Sequence, residues 1–387
     1  MSELGTDWKA QFSDFGGRAY LDCAAQGPFP RDTAAEVRRA LRYKEHPEEI
    51  PENLSEDLSE RARTAVARLI GCHPSSIALG TGTSHGTNLA ARGLPIAKGD
   101  EVLMAQGEFP ALVYPFLNRE REGIKIRFVH PSAGERIVPA ERIIEAISPA
   151  TKVIATSLVQ FATGYRTDLQ ALGDVCRERK LFLVVDGAQG VGGIDFRVGD
   201  FPIDILAVSG FKWLLGPYGS GFTYVNPRIL EKVRVTEINW RRMEGAVHPG
   251  RRSEYHMRHA EGARRFDVPE VGSHLHASAF AASVEFLNRV RVPTVEGHVG
   301  RLFDRLIRGI EKTPLSIVSD LSPKRRSCIM ALQGPNVDAT RRIFRSEREA
   351  GVIVSLRENL IRVSPNLYNG PADIDRFLAV AASIPVD

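Results

Sequence analysis

Three residues in one stretch could do chemistry together: Asp186, Ser209 and Lys212. Asp186 closes a short apolar run, Leu181 to Val185, and Ser209 closes a second, Ile203 to Val208. Lys212 follows among Phe211, Trp213, Leu214 and Leu215. A lysine in apolar surroundings loses solvation, so its neutral amine becomes accessible for Schiff-base chemistry. A buried aspartate needs a partner, and a protonated pyridine nitrogen is a good one. Pyridoxal phosphate chemistry uses both, a lysine on the aldehyde carbon and an acid on the ring nitrogen. The same pair also reads as a lysine snorkelling from a strand end and an aspartate capping a helix. The two residues alone leave both readings open.

The elements that must position them follow from the pattern around them. Apolar runs of this length, bounded by turn residues, suit strands buried on both faces of a sheet. Their carboxyl ends are where open α/β sheets bind ligands. Further strands are predicted at Ile77–Leu79, Glu101–Ala105, Ile124–Val129 and Val153–Leu158. Helical patterns run over Thr33–Tyr43, Leu58–Ile70, Ala140–Ile147 and Asp168–Lys180, with an acidic loop expected at Pro47–Ser59. Strand and helix alternate across the first two hundred residues, which predicts an α/β fold with a mostly parallel sheet covered on both faces. Between the first two strands lies GTGTSHGTN, Gly80 to Asn88, ahead of a helical pattern. A small-residue turn opening a helix presents N–H groups and a positive dipole end to an anion. Its glycines miss the spacing of the dinucleotide fingerprint, which disfavours a nicotinamide dehydrogenase.

The totals exclude several classes. The 387 residues are 43% hydrophobic and 25% charged, ordinary for a globular chain of one large and one smaller domain. A net charge of +4 gives no case for nucleic acid, and the basic stretch Arg251–Arg265 is interrupted by Glu254 and Glu261. No run is apolar enough to span a membrane, and MSELGTDWKAQF has no apolar signal core. Cys23, Cys72, Cys176 and Cys328 form no CxxC pair, so reduced thiols in a cytoplasmic protein are expected. The histidine pairs 256/259 and 274/276 lack a third ligand at useful spacing, and no metal site is expected.

DGAQ at Asp186 and SGFKWLLGPYGSGF at Ser209 resemble the lysine region of the class V aminotransferases. That group includes cysteine desulfurases, selenocysteine lyases, kynureninase and isopenicillin N epimerase. The likeness runs from LDCAAQGP at Leu21 to SPNLYNGPADIDRF near the end. It implies the pyridoxal-phosphate-dependent transferase fold type I, with pyridoxal 5′-phosphate as cofactor. A large domain would span residues 21–290, a smaller α/β domain 291–387, and residues 1–20 an arm. The resemblance makes Lys212 the Schiff-base lysine and Asp186 the acid on the ring nitrogen. Thr83, Ser84 and Ser209 become phosphate donors, and Phe109 the residue stacked on the pyridine ring. Gln160 and Gln189 fall where amides approach the phenolic oxygen, or for Gln189 the phosphate. Arg362, in LIRVSPNLYN, matches the substrate-carboxylate arginine, and Arg357 is a second candidate contact. A planar guanidinium takes a carboxylate through two parallel hydrogen bonds.

Departures from the pattern bear on the reaction. Phe211 stands where many relatives have histidine before the lysine, and Asp267–Glu270 replaces the element that reaches the neighbouring subunit's phosphate. The loop before Arg362 reads GVIVSLRENLIR and has no cysteine, which argues against a persulfide-forming desulfurase. The expectation is a cytoplasmic homodimer, with active sites near the subunit interface, acting on a small amino acid by amino transfer or β-elimination. Alternatives are epimerisation of the isopenicillin-N-epimerase kind and a non-catalytic protein of the same fold. No nucleic-acid or membrane partner is expected.

Overall fold

The computed structural model describes residues 7–244 and 256–385. A short strand, β1 (Ala19–Tyr20), precedes helices α1 (Arg31–Glu45) and α2 (Leu54–Ile70). α2 begins inside the stretch expected to be an acidic loop. Its first turn holds Glu56 and Asp57, carboxylates that favour the positive end of the helix dipole. The acidity that reads as a loop is an N-terminal signal.

Seven strands form the main sheet: β2 (Ile77–Gly80), β3 (Glu101–Ala105), β4 (Lys125–Val129), β5 (Thr151–Ser157), β6 (Phe182–Asp186), β7 (Ile205–Ser209) and β8 (Gly221–Val225). Their order is β2-β8-β7-β6-β5-β3-β4. The run from β7 to β4 is parallel, whereas β8 is antiparallel to both β7 and β2. Helices α3 (Thr83–Gly93), α4 (Pro110–Leu117), α5 (Ala140–Glu145) and α6 (Leu169–Arg179) lie along the connections. Leu183, Val184 and Val185 on β6, and Ile205, Leu206 and Val208 on β7, are fully buried. Burial on both faces is why these strands read as unbroken apolar runs.

Two long helices, α7 (His274–Val290) and α8 (Val292–Ile310), follow, α7 packing against α1 and α2. The rest of the chain adds β9 (Ser316–Ile317), β10 (Met330–Gln333), α9 (Val337–Glu349), β11 (Val352–Ile353), β12 (Ser355–Arg357), β13 (Leu360–Val363) and α10 (Pro371–Ala382). Four of these strands make an antiparallel sheet in the order β12-β13-β10-β9. The fifth, β11, pairs in parallel with β1, and Asp22 bridges Ser364 just beyond. Phe12 and Phe15 each pack a ring 5.2 Å from Tyr368, so the arm is fastened to the last third of the chain.

The basic stretch is partly outside the described residues. Where it is described, its arginines face carboxylates: Arg258 pairs with Glu244, Arg264 with Glu56 and Glu60, and Arg265 with Glu231. Asp267 is buried against Arg63, at 2.7 Å, and accepts the N–H of Leu79. It ties its own segment to α2 and β2.

Candidate active site

The carboxyl ends of β6 and β7 face the amino end of α3 across a cavity of about 310 Å³. That volume suits a small ligand. Asp186 ends β6, and its Oδ1 accepts the N–H of Ala188 at 2.9 Å. Ser209 ends β7, where its Oγ accepts the N–H of Thr83 at 2.9 Å and lies 3.0 Å from Thr83 Oγ1. Thr83 and Ser84 occupy the first turn of α3, whose leading N–H groups have no partner within the helix. Gly82 before them has φ of 140°, and a Cβ there would come 2.9 Å from Ser209 Oγ. Glycine is required because the backbone passes so close to the serine.

Between β7 and β8 the chain makes a tight turn that carries Lys212. Gly210 N–H donates to Ser220 across its base, and Leu215 adopts a left-handed φ of 56°. Trp213 is fully buried, with its indole N–H donating to Gln189 Oε1 at 2.9 Å. From the other side Gly27 packs so closely that a Cβ would lie 2.1 Å from the Lys212 carbonyl oxygen. Lys212 is therefore held from both flanks and is 9% exposed. Burial lowers its ammonium pKa to about 8, although Asp186 nearby favours the charged form. Burial pushes Asp186 the opposite way, above the usual carboxylate value, against the pull of Lys212, Ala188 N–H and Thr83. Each member of the pair is shifted toward its neutral form.

Phe109, at the amino end of α4, stands over the lysine, its ring centroid 5.1 Å from Nζ. Phe161 meets Phe109 edge-on at 5.2 Å, and Phe211 and Tyr218 form the opposite rim, 4.4 Å apart. Glu108 anchors the Phe109 loop to β5. Its buried carboxyl accepts from Thr156 Oγ1 and Ser157 N at 3.0 Å each, and from Ser157 Oγ. Burial raises its pKa to about 7.

At the far end of the cavity lies the hairpin of β12 and β13. Arg362 is 1% exposed and reaches the cavity with three protein contacts. Nε donates to Ser355 Oγ at 3.1 Å, Nη1 to the Phe161 carbonyl at 3.0 Å, and Nη2 to Asp22 Oδ1 at 3.4 Å. Five N–H groups less three leaves two, one on each terminal nitrogen, enough for a bidentate carboxylate. Burial depresses its pKa to about 10, with Asp22 opposing the shift. Arg357 also lines the cavity.

The structure thus brings together Lys212, Asp186, Thr83, Ser84, Phe109, Gln189, Ser209, Arg357 and Arg362. Gln160 does not line the cavity. Its Nε2 donates to the Gly107 carbonyl, and its Oε1 accepts from Ala162 N and from Thr163 N and Oγ1. Those bonds brace the turn after β5, a structural task that replaces the expected contact with the phenolic oxygen. Gln189 lines the cavity with its amide engaged on both sides, by Trp213 and by the Ala24 carbonyl. Sequence reasoning missed Asp22, Glu108, Phe161, Ser355 and Tyr218. For Asp22 the signal was its place in LDCAAQGP; for the others no local pattern marks them.

A strand-end acid beneath a turn-borne lysine, facing a helix amino end, defines the pyridoxal-phosphate-dependent transferase fold type I. The comparisons agree. The model for aminotransferase class-V matches residues 19–377, and the chain belongs to that family. It is 28% identical to isopenicillin N epimerase of Streptomyces clavuligerus, over 92% of each chain. Over 46% of its length it is 34% identical to the cysteine desulfurase IscS of Rickettsia felis, there covering 43% of that protein. Among solved structures it superposes on a C-DES mutant with glycine covalently linked to its PLP cofactor. The TM-score is 0.87 at 21% identity, over 97% of this chain and 99% of that one.

The cofactor is pyridoxal 5′-phosphate, and the residues present fit it. The first turn of α3 places the hydroxyls of Thr83 and Ser84 beside Ser209 at the cavity, a polar, helix-dipole-favoured seat for a phosphate. Asp186, a buried acid, suits a protonated ring nitrogen, and the amine of Lys212 is shifted toward its nucleophilic form.

Proposed function

We propose that this chain is a pyridoxal-phosphate enzyme acting on a small α-amino acid by removal of the Cα proton, leading to amino transfer or β-elimination. The observation that carries the reading is the buried Lys212–Asp186 pair facing Arg362 across one cavity. When bound, the cofactor supplies an electron sink for the charge that develops at Cα. The protein's residues do the rest. Thr83, Ser84 and Ser209 would hold the phosphate, and Phe109 would pack against the ring. Asp186 would favour a protonated ring nitrogen. Arg362 fixes the substrate carboxylate, so that one Cα bond stands within reach of Lys212. The amine of Lys212 takes the Cα proton onto Nζ as general base. From Nζ the proton would be handed on in amino transfer, whereas departure of a β-substituent would give elimination.

Epimerisation is a second reading, favoured by the 28% identity to isopenicillin N epimerase over nearly the full length of both chains. Persulfide formation is disfavoured. The loop ahead of Arg362 carries no cysteine, and the thiols of Cys23 and Cys328 are buried, their pKa values raised by desolvation.

We place the protein as a homodimer in the cytoplasm, with domains dividing near residue 290. Membership of the family supports the dimer, and free cysteines suit a reducing compartment. Among the described residues no helix is long and apolar enough to cross a membrane.

The test is the absorption spectrum of purified protein before and after single amino acids are added. A yellow band that borohydride reduces, with the label on Lys212, is expected. Keto acid with bleaching reports amino transfer; pyruvate and ammonia report elimination; the opposite enantiomer on chiral chromatography reports epimerisation. A colourless protein that takes up no added cofactor would overturn the reading.

A further inference from the structure

The recognition end of the cavity holds two guanidinium groups and one nearby countercharge. Ser355 on β12 pairs across the strands with Arg362 on β13, so their side chains share a face. Arg357, two residues beyond Ser355, falls on that same face. The hairpin that sets this register turns through Glu358 and Asn359, both at left-handed φ, 50° and 62°. Two successive left-handed residues form a tight turn matched to strand twist, which leaves little slack in where Arg357 points.

The two arginines are not equivalent. Asp22 balances the charge of Arg362, and Ser355 and the Phe161 carbonyl hold its orientation. Arg357 makes one hydrogen bond, from Nη1 to the carbonyl of Leu356 at 2.9 Å, and no ion pair among the described residues. The adjacent carboxylate of Glu358 has Arg136 as its charged neighbour. The field of Arg357 is felt at Lys212, Arg362 and Asp22, so its charge lies toward the site. Among the described residues lining the cavity only Asp186 is acidic, and it belongs to the opposite end near the lysine.

We infer that the substrate is an α-amino acid with a second carboxylate, its α-carboxylate on Arg362 and its distal one on Arg357. This rests on the amino-acid reading above and adds the substrate class. One arginine, pre-balanced by Asp22, serves a group common to all amino acids. The other presents a charge that has no ion pair among the described residues and that an anionic side chain would neutralise.

The experiment compares acids with their amides on the cofactor-loaded enzyme: L-aspartate with L-asparagine, L-glutamate with L-glutamine, and L-2-aminoadipate for reach. Spectral titration gives Kd, and steady-state rates give kcat/KM. At least one acid is expected to exceed its amide by about 10- to 100-fold, the usual worth of a charge-assisted hydrogen bond. In Arg357→Met and Arg357→Gln that ratio falls toward one, and Arg357→Lys restores part of it. Cofactor colour and melting temperature check that each variant is folded. A wild-type ratio near one in every pair overturns the inference without any variant. A ratio that survives Arg357→Met overturns it too, as does an equal loss for acid and amide, which would put both arginines on the α-carboxylate. In those cases amino acids still perturb the spectrum and the broader reading stands. A spectrum that no amino acid changes would sink the broader reading as well.

Discussion

The two ends of the cavity solve the problem of holding charge in an apolar site in opposite ways. At the lysine end, adjacent parallel strands β6 and β7 deliver Asp186 and Ser209 from their tips, and one tight turn delivers Lys212. The charged pair there is desolvated, and both members move toward neutrality. At the arginine end an antiparallel hairpin presents two guanidinium groups, one of them fastened by Asp22, Ser355 and the Phe161 carbonyl. A group that must gain and lose a proton is kept near its titration point. A group that must only hold an anion is kept charged and fixed. Mutations at the first end should therefore act on turnover, and mutations at the second on binding.

The largest effect is expected from Lys212→Ala. Loss of the base lowers kcat by about 10²–10⁴-fold, and the yellow band disappears from the spectrum. Arg362→Met comes next, because it removes the proposed carboxylate contact and strands a buried Asp22. Truncating one partner of such a pair costs about 2–5 kcal/mol, seen as a large rise in KM for every amino acid and a lower melting temperature. If kcat fell instead and KM held, the division between the ends would fail. Asp22→Asn tests the same division more gently. It keeps a hydrogen-bond acceptor but drops the countercharge, and about a 10-fold rise in KM with kcat nearly constant is expected. A neutral result would make Asp22 part of the packing alone.

The smallest effect is a pH dependence at the lysine end. The folded pKa of Lys212, about 8, lies below its ordinary 10.5. Between those values the unfolded chain binds the proton that the folded chain has released, so this group's contribution to stability rises with pH across that window. The neutral amine likewise becomes the major form above about pH 8. Stopped-flow absorbance of cofactor uptake by apoprotein should rise through pH 8 and level off, with no further gain near 10.5. A midpoint near 10.5 would mean the amine is solvated.

The contrast also explains what could be read from sequence. Buried parallel strands write themselves as apolar runs ending on the residues that matter, so Asp186, Ser209 and Lys212 stood out, and with them the sheet. The helix opening at Thr83 was legible because glycines and hydroxyls cluster where a backbone must pass close to Ser209. Antiparallel β8 and the short strands β11 and β12 were not picked out, since two- to five-residue segments carry too few positions to show a period. Arg362 was found through its flanking residues, but its partners were not. Asp22 is 340 residues away along the chain, and only tertiary register brings it near. Gln160 was misplaced for a related reason. An amide after a strand looks the same whether it faces a ligand or closes its own turn, as it does here through Gly107, Ala162 and Thr163. Glu108, beside Phe109, gave no hint that its carboxyl is buried against Ser157.

The pairing of β1 with β11, and of Asp22 with Arg362, has a consequence for how the protein is made. Ala19 leaves the ribosome long before Val352 exists, and synthesis proceeds at about 5–20 residues per second. For tens of seconds, on the order of that rate, Phe12 and Phe15 have no Tyr368 to cover them. The main sheet and its lysine turn can form from residues already translated, whereas Asp22 cannot gain its guanidinium partner until Arg362 itself arrives. A nascent chain halted before β11 would carry the reactive end of the site without the end that selects what reacts.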